Sequence, residues 1–320
     1  MVKIFDAQAP ENVDPKPKIA WLLRNLPYDK LYYSRLHLRH PAGIYSLSLT
    51  RLSSRFRNVL DELDSVRTKY ATSGNLPELG VLIDRHESLL YALAEHLDDC
   101  KNILRSFFAS NKVANKNLSV RDFSSSVADY RNRVGEIVNA IKHRTGRLCG
   151  VMMYHEEVFV PGYYVESAIE PRVVGPDPNL HNGGDTAISL YRDLKFHFVH
   201  LYLVGHYLES VVLEIWASPL DPKFPEPGKE PLEFLELARR LRLLPDIVYF
   251  DERLLAYPRI TILRANAPQS DLTFSYEQPE QPIRTFGKYK LRASFHGDGF
   301  TDTFKLPYLR TGWQRDFGGA

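Results

Sequence analysis

The chain has 320 residues, 44% hydrophobic and 25% charged, with 41 Lys+Arg against 39 Asp+Glu. That profile belongs to a soluble globular protein of about two domains, and it excludes collagen-like, mucin-like and wholly disordered classes. The near-neutral total hides an asymmetry: residues 1–147 carry 23 Lys+Arg and 16 Asp+Glu (+7), while residues 148–320 carry 18 and 23 (−5). Such a split suits either an anionic partner on the basic half or two halves that face each other.

The N-terminal stretch MVKIFDAQAPENVDPKPK is polar and proline-bearing, without the apolar run of a signal peptide. Helical spacing begins with Ile44, Leu47, Leu52, Phe56, Val59, Leu63, Val66 and Tyr70, and Ser73-Gly74-Asn75 ends it. Pro77 suits the first turn of the next helix. Its stripe is Leu79, Leu82, His86, Leu90, Leu93, Leu97, Cys100, Leu104 and Phe107, an alternation of threes and fours typical of bundle packing. Ser110 to Asn117 reads as a loop. A third helix is expected from about Ser124, burying Val127, Tyr130, Val134, Ile137 and Ile141, and stopping after Lys142, His143 and Arg144 at Gly146.

Beyond Gly146 the period changes. Leu148–Tyr154, Val158–Val160 and Tyr163–Ile169 read as strands, with Pro161-Gly162 as a turn. A loop from Pro171 to Asp185 leads to a helix capped by Asp185 or Thr186 and reaching about Ala217. Its apolar stretch, Phe196 to Trp216, is interrupted by three histidines and two glutamates, so it reads as a buried or partner-facing helix and no membrane association is expected. Ser218 to Pro231 holds five prolines and reads as a linker. A short helix, Leu232–Leu243, precedes strands at Arg259–Arg264, Leu272–Tyr276, Lys288–Phe295 and Phe300–Leu306, the last two joined as a hairpin through Asp298-Gly299. The two cysteines, Cys100 and Cys149, form neither a CxxC pair nor a disulfide framework. They fit small buried residues in a reducing compartment, and a cytoplasmic location is expected.

The expected fold is therefore α+β. An N-terminal helical bundle (residues 1–217) carries a β-containing insertion at about 147–185; a linker (218–231) leads to a C-terminal antiparallel β domain (232–320).

Several chemistries have no motif here: GxxxxGK[ST], GxGxxG after a strand, HExxH, GxSxG and zinc-spaced Cys/His pairs are all absent. No cofactor and no metal are expected. The informative cluster is Arg192-Asp193-Leu194-Lys195-Phe196-His197, an arginine, a polar residue, three more positions and a histidine. It resembles the R-x(4–6)-H signature of the HEPN superfamily of helical ribonucleases and nucleotide-binding domains. The resemblance covers six residues and implies a metal-independent ribonuclease or RNA-binding protein, working as a homodimer, of the kind found in bacterial toxin or phage-defence systems. It further implies His197 as general acid/base, Arg192 as phosphate and transition-state clamp, and Asp193 as the orienting polar residue. HEPN domains are all-α, so the resemblance requires residues 147–185 to be an insertion and the following helix to complete the bundle.

Two readings stand beside it. Asp193, His197 and His200 at i, i+4 and i+7 share a helix face, the donor set of a metal-dependent hydrolase. Alternatively, the chain is a non-catalytic subunit of a larger protein complex. On the preceding helix Glu136, Asn139 and His143 share a face, and His143 is expected to join Arg192 and His197 in one polar cleft if the helices pack side by side. His86 reads as a core histidine, and His181, beside Gly183-Gly184, as a candidate binding residue in a long loop. The aromatic and basic alternation around Lys288, Lys290 and Arg292 reads as a half-buried strand.

Overall fold

The computed structural model describes residues 2–7, 14–216, 232–249, 252, 257–263, 271–277 and 289–309. Strand β1 (Val2–Ala7) and helix α1 (Ile19–Arg24) precede a long helical hairpin of α2 (Pro41–Ser73) and α3 (Gly80–Arg105). Helix α2 starts at Pro41, where the missing amide proton costs nothing, and the Nδ1 of His40 accepts the Ala42 N–H at 3.2 Å. It ends at Gly74, whose φ of 66° is open to glycine and whose N–H returns to Tyr70 O. The apolar stripe read from the sequence is the buried face, except that Leu47 points to solvent. Helix α3 buries its stripe from Leu82 to Leu104 and includes His86; Pro77 lies ahead of its first turn.

The stretch read as one loop and one helix is three helices: α4 (Asn111–Ala114), α5 (Leu118–Ser126) and α6 (Ala128–His143). Asn117 caps α5 by accepting the Val120 N–H, and Val127, at φ −99° and ψ 2°, separates α5 from α6.

Strands β2 (Arg147–His155) and β3 (Val158–Glu170) form an antiparallel hairpin, and β4 (Val173–Pro176) and β5 (Ile188–Ser189) both pair with β3. The hairpin turns at Glu156-Glu157, with Glu156 at φ 50°, and not at Pro161-Gly162. Gly162 is instead a point of close approach. A Cβ there would lie 2.3 Å from Ile188 O and 2.5 Å from the Tyr249 ring.

Helix α7 (Leu190–Ile215) follows β5 directly with Ser189 as its N-terminal flank, so Asp185 and Thr186 do not cap it. Among the described residues it is the one helix with the length and mean hydropathy to cross a membrane; half of that stretch is buried inside the protein. It packs against α1, α3, α5 and β3, which makes it a member of the bundle.

Helix α8 (Glu233–Arg242) takes its N-terminal cap from far away: the Asp14 carboxylate accepts the amides of Phe234 and Leu235 at 2.9–3.0 Å. Arg240 of α8 pairs with Asp61 and Asp64 on α2. The proline-rich segment read as a linker lies outside the described residues.

The remaining strands are β6 (Tyr257–Leu263), β7 (Asp271–Glu277), β8 (Lys290–Ala293) and β9 (Thr303–Phe304). They are shared between two sheets. β1, β7 and β6 make a small antiparallel sheet, while β8 joins β2 and β9 runs parallel to β4 in the order β8-β2-β3-β4-β9. Asp298-Gly299 therefore does not close a hairpin between β8 and β9. The Asp298 carboxylate accepts the amides of Phe300 and Thr301, and the chain crosses to the far edge of the sheet.

The architecture is α+β, as the sequence predicts, with one apolar core running through bundle and sheets. Phe198 of α7 marks its middle, meeting the rings of Phe56 on α2, Phe234 on α8 and Phe274 on β7. Gly162→Ala is expected to cost about 1–3 kcal/mol through backbone overlap. Gly135→Ala, in α6 where a Cβ meets nothing, is expected to add up to about 1 kcal/mol. Urea unfolding midpoints of the two variants test this opposite pair of signs.

Candidate functional site

The first two turns of α7 are its most polar part and are buried all the same. Arg192, Asp193, Lys195 and His197 are each at most 5% exposed, and Asp193 and His197 have no exposure at all. A carboxylate without water needs protein donors, and three neighbouring elements supply them. Tyr163 of β3 donates its hydroxyl to Asp193 Oδ2 at 3.0 Å. His86 Nε2 of α3 and His197 Nε2, one turn along α7, each lie 3.2 Å from the same oxygen. Arg133 of α6 places Nη2 3.5 Å from Oδ1. Behind His197, the Tyr130 hydroxyl of α6 lies 3.1 Å from Nδ1.

Burial would raise the Asp193 carboxyl, but the His197 and His86 rings beside it outweigh burial and hold the group well below the usual carboxylate range. Burial acts on His197 in the direction that keeps the imidazole neutral. Arg133, with Nη2 3.5 Å from Oδ1, is the permanent cation beside this carboxylate.

One side of this network opens to solvent. A cleft of about 450 Å³ lies between α6, the segment 179–188 and the start of α7, with Arg133, Arg192, Asn132, Glu136, Asn182 and Glu252 in its wall. The guanidinium carbons of Arg133 and Arg192 sit 4.7 and 5.8 Å from the centre of the same Phe196 ring, which gathers two cations at one edge of the cleft. The Glu252 carboxylate is engaged by the amides of Ser189 and Tyr249.

Of the residues singled out by the sequence, Arg192 lines the cleft with Glu136. Asp193 and His197 lie together behind it, inside the protein. His143 is exposed near the C-terminal end of α6, seven residues and so about 10 Å beyond Glu136, and is not in the cleft wall.

Asp193, His197 and His200 do not converge as a metal triad. His200 Nδ1 lies 2.9 Å from Phe196 O and 3.3 Å from the Tyr276 hydroxyl, and its ring stacks on Tyr130. His181 is not a loop ligand: it is buried, and its Nε2 accepts the Val165 N–H at 2.8 Å, tying segment 177–185 to β3. Sequence pattern does not single out Arg133, Tyr130 or Tyr163. Each is an ordinary residue of its helix or strand until α7 packs against it.

No family model, curated protein or solved structure matches the chain.

Removing the Asp193 carboxylate takes the acceptor from the buried Tyr163 hydroxyl and the counter-charge from Arg133, so Asp193→Ala is expected to cost about 3–5 kcal/mol by chemical denaturation. Burial holds His181 at about 4, below its ordinary 6.5. Its contribution to stability is therefore complete above pH 6.5 and is lost as the pH falls towards 4. The His181 ring resonances are expected to titrate near 4 by NMR; a midpoint near 6.5 contradicts the buried acceptor role.

Proposed function

We propose that this chain is an RNA-binding protein of HEPN-like build, in which the cleft between α6 and α7 takes RNA phosphates on Arg133 and Arg192. The observation that carries the reading is the arginine pair itself: two guanidiniums on one aromatic ring, at the edge of a cleft that also holds Asn132, Asn182 and the carboxylates of Asp129, Glu136 and Glu252, the last engaged by backbone amides. Guanidinium groups match phosphate oxygens in charge and geometry. The basic N-terminal half, net +7 over residues 1–147, adds long-range attraction for a polyanion.

The packing of α7 into the bundle is the arrangement the HEPN resemblance requires. Of the two activities that resemblance implies, the geometry favours binding over cleavage. Arg192 is in the cleft wall, whereas His197 directs Nε2 to Asp193 and Nδ1 to Tyr130. A general acid/base at His197 has to leave both partners to reach a ribose 2′-hydroxyl. In this reading Asp193 and His197 are positioning residues that fix the start of α7 and hence Arg192. The partners implied are single-stranded RNA and a second copy of the chain.

Fluorescence anisotropy of a labelled single-stranded RNA tests the reading. Arg133→Gln and Arg192→Gln are each expected to weaken binding about tenfold and to reduce the slope of log K against log salt by about 0.7. Asn132→Asp, an exposed change that adds a negative charge to the cleft wall and leaves the Asp193 network intact, is expected to weaken binding as well. Folded protein that binds no RNA at low salt, or binding indifferent to all three substitutions, overturns the proposal. Cleavage in the presence of chelator that disappears in His197→Gln assigns the nuclease activity instead.

A further inference from the structure

A second polar cluster lies on the β2–β3 hairpin, and none of its residues is in the cleft wall. Cys149 on β2, Glu166 on β3 and His296, three residues beyond β8, bring a thiol sulfur, a carboxylate oxygen and an imidazole nitrogen within 4.8 Å of one another. Among the described residues it is the one group of three or more His, Cys, Asp and Glu side chains that does so. Cys149 Sγ is 3.2 Å from His296 Nδ1, and Glu166 Oε1 is 3.7 Å from the same nitrogen. Cys149 and Glu166 are 1% and 6% exposed, whereas the His296 side chain is 56% exposed.

We propose that Cys149, Glu166 and His296 form a zinc site with an open fourth position on the solvent side. Three features support it. The first is distance: tetrahedral zinc with bonds of about 2.3 Å to sulfur and about 2.0–2.1 Å to nitrogen and oxygen puts S···N at roughly 3.6 Å and N···O at roughly 3.3 Å, and the separations here, 3.2 and 3.7 Å, are each within about 0.4 Å of those.

The second is charge. Cys149 and Glu166 lie side by side inside the protein, and His296 is the one basic side chain found against the Glu166 carboxylate among the described residues. A divalent ion suits that place, because thiolate and carboxylate together balance its charge.

The third is the shell behind the ligands. Tyr164, paired across the hairpin with Cys149, donates its hydroxyl to Ser294 O at 2.7 Å, with Glu166 Oε2 3.4 Å from the same oxygen. The Ser294 N–H donates to Gly150 O at 2.8 Å, and the Ser294 hydroxyl accepts the Gly150 N–H at 2.8 Å. That clamp fixes the chain two residues before His296, so the imidazole is delivered over Cys149 by supports of its own. Thiolate, imidazole and carboxylate together are a borderline donor set suited to zinc, and to cobalt as its spectroscopic substitute.

Chelator-treated full-length protein titrated with Co²⁺ is expected to develop a thiolate-to-cobalt charge-transfer band that saturates at one equivalent and is displaced by Zn²⁺. Cys149→Ser is expected to abolish the band, and Cys100→Ser to leave it unchanged. His296→Ala, an exposed position whose loss leaves the core intact, is expected to weaken Co²⁺ binding at least tenfold. No band in the wild type, a band that survives Cys149→Ser, or a His296→Ala titration identical to wild type overturns the proposal.

Discussion

An ionised carboxylate without solvent has to be surrounded by donors, and Asp193 draws its donors from α3, α6, β3 and its own helix. Apart from His197 these neighbours are distant in sequence, so the carboxylate meets them only when bundle and hairpin are assembled together. The apolar core lets helices slide or rotate at modest cost, because hydrophobic contact is non-directional. The Asp193 network does not. It fixes the rotation of α7 about its axis and thereby decides which residues of that helix face the core and which face the cleft.

The cleft depends on that rotation. Arg192 precedes Asp193 by one residue, about 100° around the helix, so a buried Asp193 turns Arg192 towards the edge of α6. Arg133 serves both sides, reaching Asp193 Oδ1 with one nitrogen while its guanidinium lies on Phe196 beside Arg192. The carboxylate at the junction therefore holds Arg133, and the Phe196 ring sets it beside Arg192. Lys195, on another side of α7, anchors the segment after α8 through Leu244 O and Asp246, so each charged residue in the first two turns has a distinct structural task.

Much of the helical architecture was legible because burying a stripe at period 3.6 is a local demand. The faces of α2, α3 and α6 follow from the spacing of Ile44 to Tyr70, Leu82 to Leu104 and Tyr130 to Ile137. The failures are equally specific. Pro161-Gly162 carries turn chemistry but lies inside β3, because Ile188 and Tyr249 press on Gly162 and only a residue without a Cβ fits. Asp298-Gly299 carries hairpin chemistry but leads from one edge of a sheet to the other, because β2 and β4 had open edges for β8 and β9. His181 looked like a loop ligand and is a buried acceptor, since its loop is held against β3. Local signals describe what a segment can do; the neighbours that arrive decide which option is used.

The sequence by itself determined the α+β class, the long amphipathic helices, the change of period after Gly146 and the polar cluster Arg192 to His197. Those features are written in composition and spacing, over windows of a few turns. Only the tertiary structure decided that Asp193 and His197 are interior, that Arg133 joins Arg192, that His143 stands apart, and that Cys149, Glu166 and His296 meet. These juxtapositions link residues up to 147 positions apart in the chain, as with Tyr163 and Asp193 or Cys149 and His296. Their geometry depends on how several elements pack at once, and no local pattern in one sequence encodes it.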